Sequence, residues 1–401
     1  MRRLTQVAML LTILAGAFMV AAPRPAFAHG EIAQEAFIKT QTVTFYDVKF
    51  SKAEIQRNEK MTISGRFRVL NAWPAHNSVL PENTEAYISA VAPGPRVIVV
   101  DRQLGGEFAP GRNQLERGKS YDFSVTIVGR IEGRYHIHPV ISFKHLGPLV
   151  GPGQWTTVKG GPAFKNPVQL ASGKMINLET FGRGNVLVWV LLTILVGAAW
   201  LLYWLVPRPL LMRAKLLMTG DYVEEELVTD RDRKVGIGFA VLVGVILVGG
   251  LVYTKSAWPN SIPQQIHRFT PKPAEEAHFT TVESDTAHYT PTGDRLLWNV
   301  KVTNTGQSPV QVKEFTTSTV TFGVDGTGAA YPLVVEPTDA TVNPGETKSM
   351  KLNMSDPVWR TARLLSFTEV QSIMGGLLTL EDAQGHLDRQ EMSSELVSEY
   401  H

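Results

Sequence analysis

Three long apolar runs divide the chain, and the first lies close to its start. It extends from about Val7 to Ala22 behind two arginines, and Ala26-Phe27-Ala28 follows it after two prolines. A basic start, an apolar centre and small residues at the end are the pattern of a secretory signal peptide. We therefore predict a signal peptide over residues 1–28 and a mature chain that begins at His29.

The second and third runs lie in the middle of the chain and carry no charge. They extend from about Val186 to Val206 and from about Val235 to Tyr253, and each is near the ~20 residues that a bilayer core requires. Glycines in the third run favour close helix packing. The two runs predict a transmembrane hairpin, with helices over 185–206 and 235–254 and a loop over 207–234.

The charges around this hairpin predict its orientation. Basic residues in cytoplasmic loops commonly set the orientation of membrane helices. The loop carries most of the flanking positive charge, with Arg208, Arg213, Lys215, Arg231, Arg233 and Lys234, whereas the outer flanks carry mainly Arg183 and Lys255. We therefore expect a cytoplasmic loop and two large extracytoplasmic (periplasmic) segments, over 29–184 and 255–401, on a bacterial cell membrane or intracytoplasmic membrane. The predicted signal peptide leads to the same topology.

Both large segments consist of short β-rich runs separated by turn residues. Thr62–Val69 alternates apolar and polar residues, which is typical of a half-buried strand. Similar runs are Thr42–Phe50, Met61–Leu70, Ala86–Val91, Arg96–Asp101, Tyr121–Val128, Gly133–Phe143, Arg295–Thr303, Val310–Phe322 and Thr347–Met354. The pattern predicts a mainly β protein with an antiparallel sandwich or barrel in each segment, of an immunoglobulin-like or cupredoxin-like type.

Composition narrows the chemistry. The formal net charge of the 401 residues is +2, so no concentrated basic charge favours nucleic acid as a partner. The chain has no cysteine, which excludes disulfides, iron–sulfur clusters, thiolate nucleophiles and copper sites that need a thiolate ligand. A bound metal must therefore be held by nitrogen or oxygen atoms.

Histidines supply the candidate metal ligands. His136 and His138 lie at the end of a predicted strand, where residues i and i+2 point to the same face about 6.6 Å apart along the chain. Signal cleavage would add His29, with both its α-amine and its Nδ1. A nitrogen-rich set of this kind suits Cu(II), and zinc remains a competing ion.

The other histidines show no ligand spacing. His145 follows the paired-histidine strand, where it has a possible role behind the ligands, and Glu31 has a possible orienting role near the amine. The remaining histidines are His76, His267, His278, His288, His386 and His401. We find no general acid–base pair and no Ser/His/Asp arrangement in the sequence, so it does not indicate a catalytic residue.

Several motifs together resemble a known family. They are His29-Gly30-Glu31, Phe45-Tyr46-Asp47, Trp73-Pro74, Tyr121-Asp122-Phe123, the paired histidines, Gly147 to Trp155, Asn177-Leu178-Glu179 and Asp232-Arg233-Lys234-Val235. On these motifs the chain resembles the B subunit of copper-dependent membrane monooxygenases, the family of particulate methane and ammonia monooxygenases. The resemblance covers nearly the whole mature chain.

The resemblance implies a fold, a site and partners. It implies two cupredoxin-like antiparallel β-sandwich domains joined by the hairpin, and a copper site at His29, His136 and His138. It also implies A and C membrane subunits as partners in a trimer of heterotrimers within the lipid bilayer. The implied reaction is hydroxylation of a small substrate (methane, ammonia or a short alkane) with O2.

The resemblance has one departure and leaves alternatives open. Some members carry a second histidine pair on the two early strands, and the corresponding residues here are Thr44 and Arg68; the extra site is therefore expected to be absent. The copper on this subunit can be catalytic, structural, electron-relaying or used for loading, because a copper site in the C subunit is also implied. A membrane-anchored copper carrier or assembly factor is the alternative function, and a plain β scaffold is a third interpretation.

Overall fold

The structure is a computed structural model that describes residues 40–73, 84–109, 111–144, 146–170, 172–205, 210–220, 223, 227–259, 268–290, 295–355 and 372–398. Contacts divide the chain into two compact units. One contains both β-rich segments, up to Ala163 and from Ile266, and the other contains residues 164–265 with the helices. The mainly β class with two long apolar helices is thereby confirmed.

The first β domain is a sandwich of two sheets. Its strands are β1 (Val43–Phe50), β2 (Glu54–Gln56), β3 (Lys60–Val69), β4 (Glu85–Val91), β5 (Val97–Leu104), β6 (Glu107–Phe108), β7 (Asn113–Gln114), β8 (Lys119–Gly129), β9 (Gly133–Phe143), β10 (Gly147–Val150) and β11 (Gln154–Lys159). One sheet has the order β1-β3-β8-β5-β6, and the other has the order β2-β11-β9-β4-β7, with β10 also paired to β9.

Alternating apolar residues build the core of this domain. On β3 the predicted alternation is observed, because Met61, Ile63, Phe67 and Val69 are all buried. They pack in one cluster with residues from both sheets, among them Ile137 of β9. The core therefore anchors β9 by the residue that lies between the paired histidines.

The second β domain is one closed sheet and not a sandwich of two sheets. Its strands are β14 (Thr280–Thr290), β15 (Arg295–Asn304), β16 (Val310–Thr317), β17 (Val320–Gly323), β18 (Tyr331–Glu336), β19 (Thr347–Ser355), β20 (Ser372–Asp382) and β21 (Leu387–Ser398). They close into a barrel with the order β14-β15-β19-β18-β17-β16-β20-β21. The pairs β14–β21 and β17–β18 are parallel. The closed ring removes the open edges that a sandwich would leave.

Buried ion pairs connect the two β domains. The Arg68 guanidinium on β3 lies 2.7 Å from Glu276 Oε2 and 3.4 Å from Glu391 Oε2, and all three side chains are about nine-tenths buried. The Tyr46 hydroxyl donates a hydrogen bond to Glu276 at 2.7 Å. Arg389 of the barrel pairs with Asp47 at 2.9 Å. A buried charge is tolerated only when it is paired, so these groups depend on one another.

Within its described residues, the helical unit contains three helices and a small hairpin. The helices are α1 (Arg183–Leu205), α2 (Leu210–Thr219) and α3 (Asp230–Ala257), and the hairpin consists of β12 (Pro167–Gln169) and β13 (Met175–Asn177). Helices α1 and α3 are long and apolar enough to cross a membrane. Helix α3 begins with a capping box, in which Thr229 and Asp232 bond to each other's backbone N–H groups.

Aromatic and polar contacts hold α1 against α3. Trp189 packs on Gly250, where an added Cβ would lie 2.6 Å from the indole Cζ2. The ring centroids of Trp200 and Phe239 are 4.9 Å apart. Glycine at position 250 therefore permits the close approach that the glycine-rich run predicts.

A buried carboxylate closes one end of this hairpin. Asp232 accepts a hydrogen bond from the Tyr203 hydroxyl at 2.7 Å and one from Arg213 at 3.3 Å. The Arg213 side chain on α2 is 11% exposed, and that of Asp232 is 2% exposed. One of the loop's basic residues is therefore neutralised by a partner within the same unit.

The buried ion pairs between the β domains predict the effect of removing Arg68. Burial raises the pKa of Glu391, and Arg68 opposes that effect. We expect Arg68→Met to lower the free energy of unfolding at pH 7 by about 3–5 kcal/mol, because two buried carboxylates lose their cation. A raised pKa in the folded state means that the folded state binds protons more readily than the unfolded chain. The deficit should therefore shrink as the pH falls and Glu391 becomes protonated.

Thermal unfolding of the full chain in detergent, measured across pH, checks this expectation. Arg66→Met is the matched control on the same strand, since its ion pair with Asp122 is exposed and should contribute less than about 1 kcal/mol. Equal losses for the two variants, or a deficit that grows in acid, would contradict the role given to Arg68.

Candidate metal centre

Strand β9 presents two imidazoles side by side. His136 and His138 flank Ile137, which is buried in the core. Their ring centroids are 4.3 Å apart and the rings are nearly perpendicular, at 89°. His138 is 7% exposed, whereas His136 is half-buried. The strand therefore brings the two imidazole rings of the predicted site close together.

A backbone carbonyl determines the proton position on His138. His138 Nδ1 lies 2.9 Å from the carbonyl oxygen of Gly151. A carbonyl can only accept, so Nδ1 carries the hydrogen and the neutral ring has its lone pair on Nε2. A ring nitrogen bonded to a backbone carbonyl oxygen, as Nδ1 is here, is typical of metal-ligating histidines.

The turn between β10 and β11 approaches this ring closely. A Cβ added at Gly153 would lie 2.7 Å from His138 Nε2 and nearer still to Cε1 and Nδ1. A Cβ added at Gly151 would lie 2.9 Å from Pro139 Cγ and 3.1 Å from Phe45 Cδ1. Neither position has room for a side chain, because the clash is with Pro139 and Phe45 at Gly151 and with the His138 ring at Gly153.

An exposed tryptophan covers the other imidazole. In the β9–β11 pairing, Trp155 lies directly opposite His136, and the two ring centroids are 5.0 Å apart. The Arg134 guanidinium lies 5.0 Å from the Trp155 ring centroid, a cation–π contact worth about 0.5–1 kcal/mol at an exposed site. Trp155 is 49% exposed, so its position follows from these contacts and from strand pairing, not from burial.

The structure brings together two of the three predicted ligands. His29 lies outside the described residues, as do Glu31, His76, His145, His267 and His401. Within the part of the chain that the structure describes, no group of three or more His, Asp or Glu side chains could hold a metal ion. His136 and His138 thus form a candidate half-site with two imidazoles, and a metal site completed by His29 remains a prediction.

The other described histidines lie apart in the barrel domain. His386 pairs with Asp382 at 2.9 Å, and His278 lies 3.9 Å from Asp388. His288 lies on β14. Their scattered positions agree with the lack of ligand spacing in the sequence.

The two positions of the absent histidine pair are neighbours in the sheet. Thr44 on β1 is the register partner of Arg68 on β3. Thr44 is fully buried, and the Arg68 guanidinium is engaged by Glu276 and Glu391. The positive charge at this position therefore belongs to the Arg68 guanidinium itself. Its pairing with two carboxylates supports the expectation that no second metal site exists there.

Sequence reasoning missed the groups that surround the imidazoles. It noted Gly147 to Trp155 only as a family motif, and it did not connect Gly151, Gly153 or Trp155 with the histidines. The connection depends on the register of β11 against β9, which a single sequence does not reveal. The available signal was the pair of closely spaced glycines, Gly151 and Gly153, just before the aromatic residue Trp155.

These features define a membrane-associated β protein with a paired-histidine site beside a glycine turn. The family of monooxygenase B-subunit proteins matches residues 30–400, so the chain belongs to that family. A protein of Methylococcus capsulatus (strain Bath), named particulate methane monooxygenase alpha subunit, is 33% identical over 389 residues, which cover 94% of this chain and 93% of the relative. The resemblance inferred from the motifs is thereby confirmed.

Solved structures show weaker similarity. The cupredoxin domain of amoB from Nitrosocaldus yellowstonii has 15% identity and a TM-score of 0.26, over 33% of this chain and 97% of that domain. A protein of unknown function from Porphyromonas gingivalis W83 has 9% identity and a TM-score of 0.19, over 88% of this chain and 100% of the other. Scores of this size carry no argument about fold or function.

Proposed function

We propose that this chain is the copper-binding subunit of a membrane-bound monooxygenase complex that hydroxylates a small substrate with O2. Methane, ammonia and short alkanes are the substrate candidates. One oxygen atom enters the substrate as a hydroxyl group and the other leaves as water, with two electrons and two protons supplied by a reductant. Family membership supports the reaction class, and the paired imidazoles on β9 are the single observation that supports the metal site.

The donor chemistry favours copper. His136 and His138 supply imidazole nitrogens, and the carbonyl of Gly151 orients His138 in the manner expected of a ligand. A set made only of nitrogens, with no thiolate in the chain, suits Cu(II), which also heads the affinity order of divalent metals. When bound, copper would supply one-electron redox chemistry, while the protein residues hold and orient it.

His29 is the proposed third residue, through its imidazole and its α-amine after signal cleavage. Eleven residue steps separate it from Thr40, and they can span at most about 36–40 Å when extended. Strand β1 runs past the site, since Phe45 packs against the Gly151 position next to His138. The proximity of Phe45 on β1 to Gly151 supports His29 as the third residue.

Copper content of purified mature protein tests the site. We expect wild-type protein to retain copper through gel filtration, and His136→Ala and His138→Ala each to lose most of it, because either change removes an imidazole donor. His386→Ala is the matched control, since its exposed imidazole pairs with Asp382 and should leave the copper content unchanged. Metal is measured by plasma mass spectrometry.

Copper content, together with chelator exchange, substrate oxidation and co-purification, separates the alternative functions. Unchanged copper in both strand variants would contradict the site and favour a plain scaffold. A carrier or assembly factor would exchange its copper rapidly with a chelator, and substrate oxidation by the membranes would not depend on the chain. A monooxygenase subunit should instead co-purify with two hydrophobic polypeptides, the proposed A and C subunits, in a hetero-oligomer.

The metal site is proposed to lie on the extracytoplasmic side. The chain is cysteine-free, so single cysteines can report the topology. Met218 lies at the end of α2 and is 89% exposed, and Gln384 lies in the exposed turn between β20 and β21. The two reporter variants are Met218→Cys and Gln384→Cys. In intact cells we expect a membrane-impermeant maleimide to label position 384 but not position 218, because the basic loop stays in the cytoplasm. The opposite labelling pattern would contradict the orientation.

A further inference from the structure

The segment from Gly151 to Trp155, which runs from the turn after β10 into the start of β11, contacts both imidazoles of the half-site. It contributes the carbonyl of Gly151 to His138 Nδ1 and the backbone of Gly153 to the face of the same ring. Two residues later, Trp155 lies against His136. Three successive odd-numbered positions therefore each contact a histidine, in a stretch that contributes no metal ligand of its own.

We propose that the segment Gly151-Pro152-Gly153-Gln154-Trp155 is a positioning element that sets the proton position of His138 and the ring orientation of both histidine ligands. This inference rests on the proposed copper site. The three contacts act on different degrees of freedom. The Gly151 carbonyl selects the nitrogen of His138 that carries the proton, the bare backbone of Gly153 fixes how far the ring can turn, and the Trp155 indole limits the orientation of His136.

Steric considerations make Gly153 the most demanding of the three positions. The His138 ring occupies the space that a Cβ would need, and this ring is only 7% exposed. An alanine at position 153 would therefore push the imidazole away and weaken its hydrogen bond to Gly151. The ring would then be free to change tautomer, and Nε2 would leave the position from which it donates to the ion.

The pairing of Trp155 with His136 is a property of strand register. The two residues are direct partners between β9 and β11, and the Arg134 guanidinium lies over the Trp155 ring. The indole is half exposed, so its replacement removes little from the core. Phenylalanine keeps an aromatic face toward His136, whereas alanine leaves that face open to water.

Copper binding by the purified full-length mature chain tests the proposal. Cu(II) affinity is measured by chelator competition, and the ligand geometry is followed by the electron paramagnetic resonance of the bound ion. We expect Gly153→Ala to weaken Cu(II) binding by about 10–100-fold, the range known for residues that orient metal ligands, and to change the resonance parameters. Trp155→Ala should change the parameters as well, and Trp155→Phe should restore them.

Gly161→Ala is the matched control. A Cβ at position 161 would make an ordinary 3.5 Å contact with Arg57, so affinity and spectrum should stay as in the wild type. Thermal unfolding of each variant confirms that the chain is folded. If Gly153→Ala does not fold, the comparison of Trp155→Ala with Trp155→Phe decides alone.

The outcomes distinguish this inference from the function on which it rests. If His136→Ala loses copper while Gly153→Ala and Trp155→Ala keep wild-type affinity and spectrum, the positioning role is wrong and the copper site stands. If His136→Ala and His138→Ala both keep their copper, the proposed site is wrong, and the positioning role is overturned with it.

Discussion

The hydrogen bond from His138 to the carbonyl of Gly151 is the contact on which the proposed site depends. It links a strand that is fixed by the core through Ile137 to a turn in which only glycine leaves room for an imidazole. The ring cannot rotate without losing that bond, and Gly153 prevents it from moving toward the backbone. A ligand held in this way loses little conformational freedom when an ion binds, which is the physical basis of preorganisation.

A second constraint joins the two β domains. The Arg68 guanidinium takes two buried carboxylates as partners, and one of them, Glu391, belongs to the barrel. Tyr46 and Arg389 add further polar contacts across the same interface. The position where other family members are implied to hold a histidine pair is thus used here for attachment of the domains.

Regular patterns in the sequence predicted much of this architecture. The uncharged runs predicted α1 and α3, and the alternation in Thr62–Val69 predicted β3 with its buried face. The i, i+2 spacing predicted that His136 and His138 share a face, since strand geometry alone determines this property. The basic loop was also recognised, although the pairing of Arg213 with Asp232 could not be read from charge counts.

The features that were not predicted depend on contacts between distant segments. Closure of the second β domain into a barrel requires β14 to pair with β21, more than 100 residues away, and no local pattern encodes that pairing. The same is true of Trp155, whose partner is fixed by strand register. The second sheet of the first β domain also includes β11. In the sequence, the start of this strand was recognised only as the end of a motif rich in glycine and proline.

The most direct test of the central claim is copper K-edge X-ray absorption on the intact membrane complex. Mature wild-type chain, with its first residue established by mass spectrometry, is compared with a variant that carries one extra residue before His29. We predict nitrogen scattering with imidazole outer-shell features in the wild type, and loss or rearrangement of that signal when the free amine is displaced. Identical spectra for the two proteins, or a first shell made of oxygen alone, would contradict the proposed histidine site.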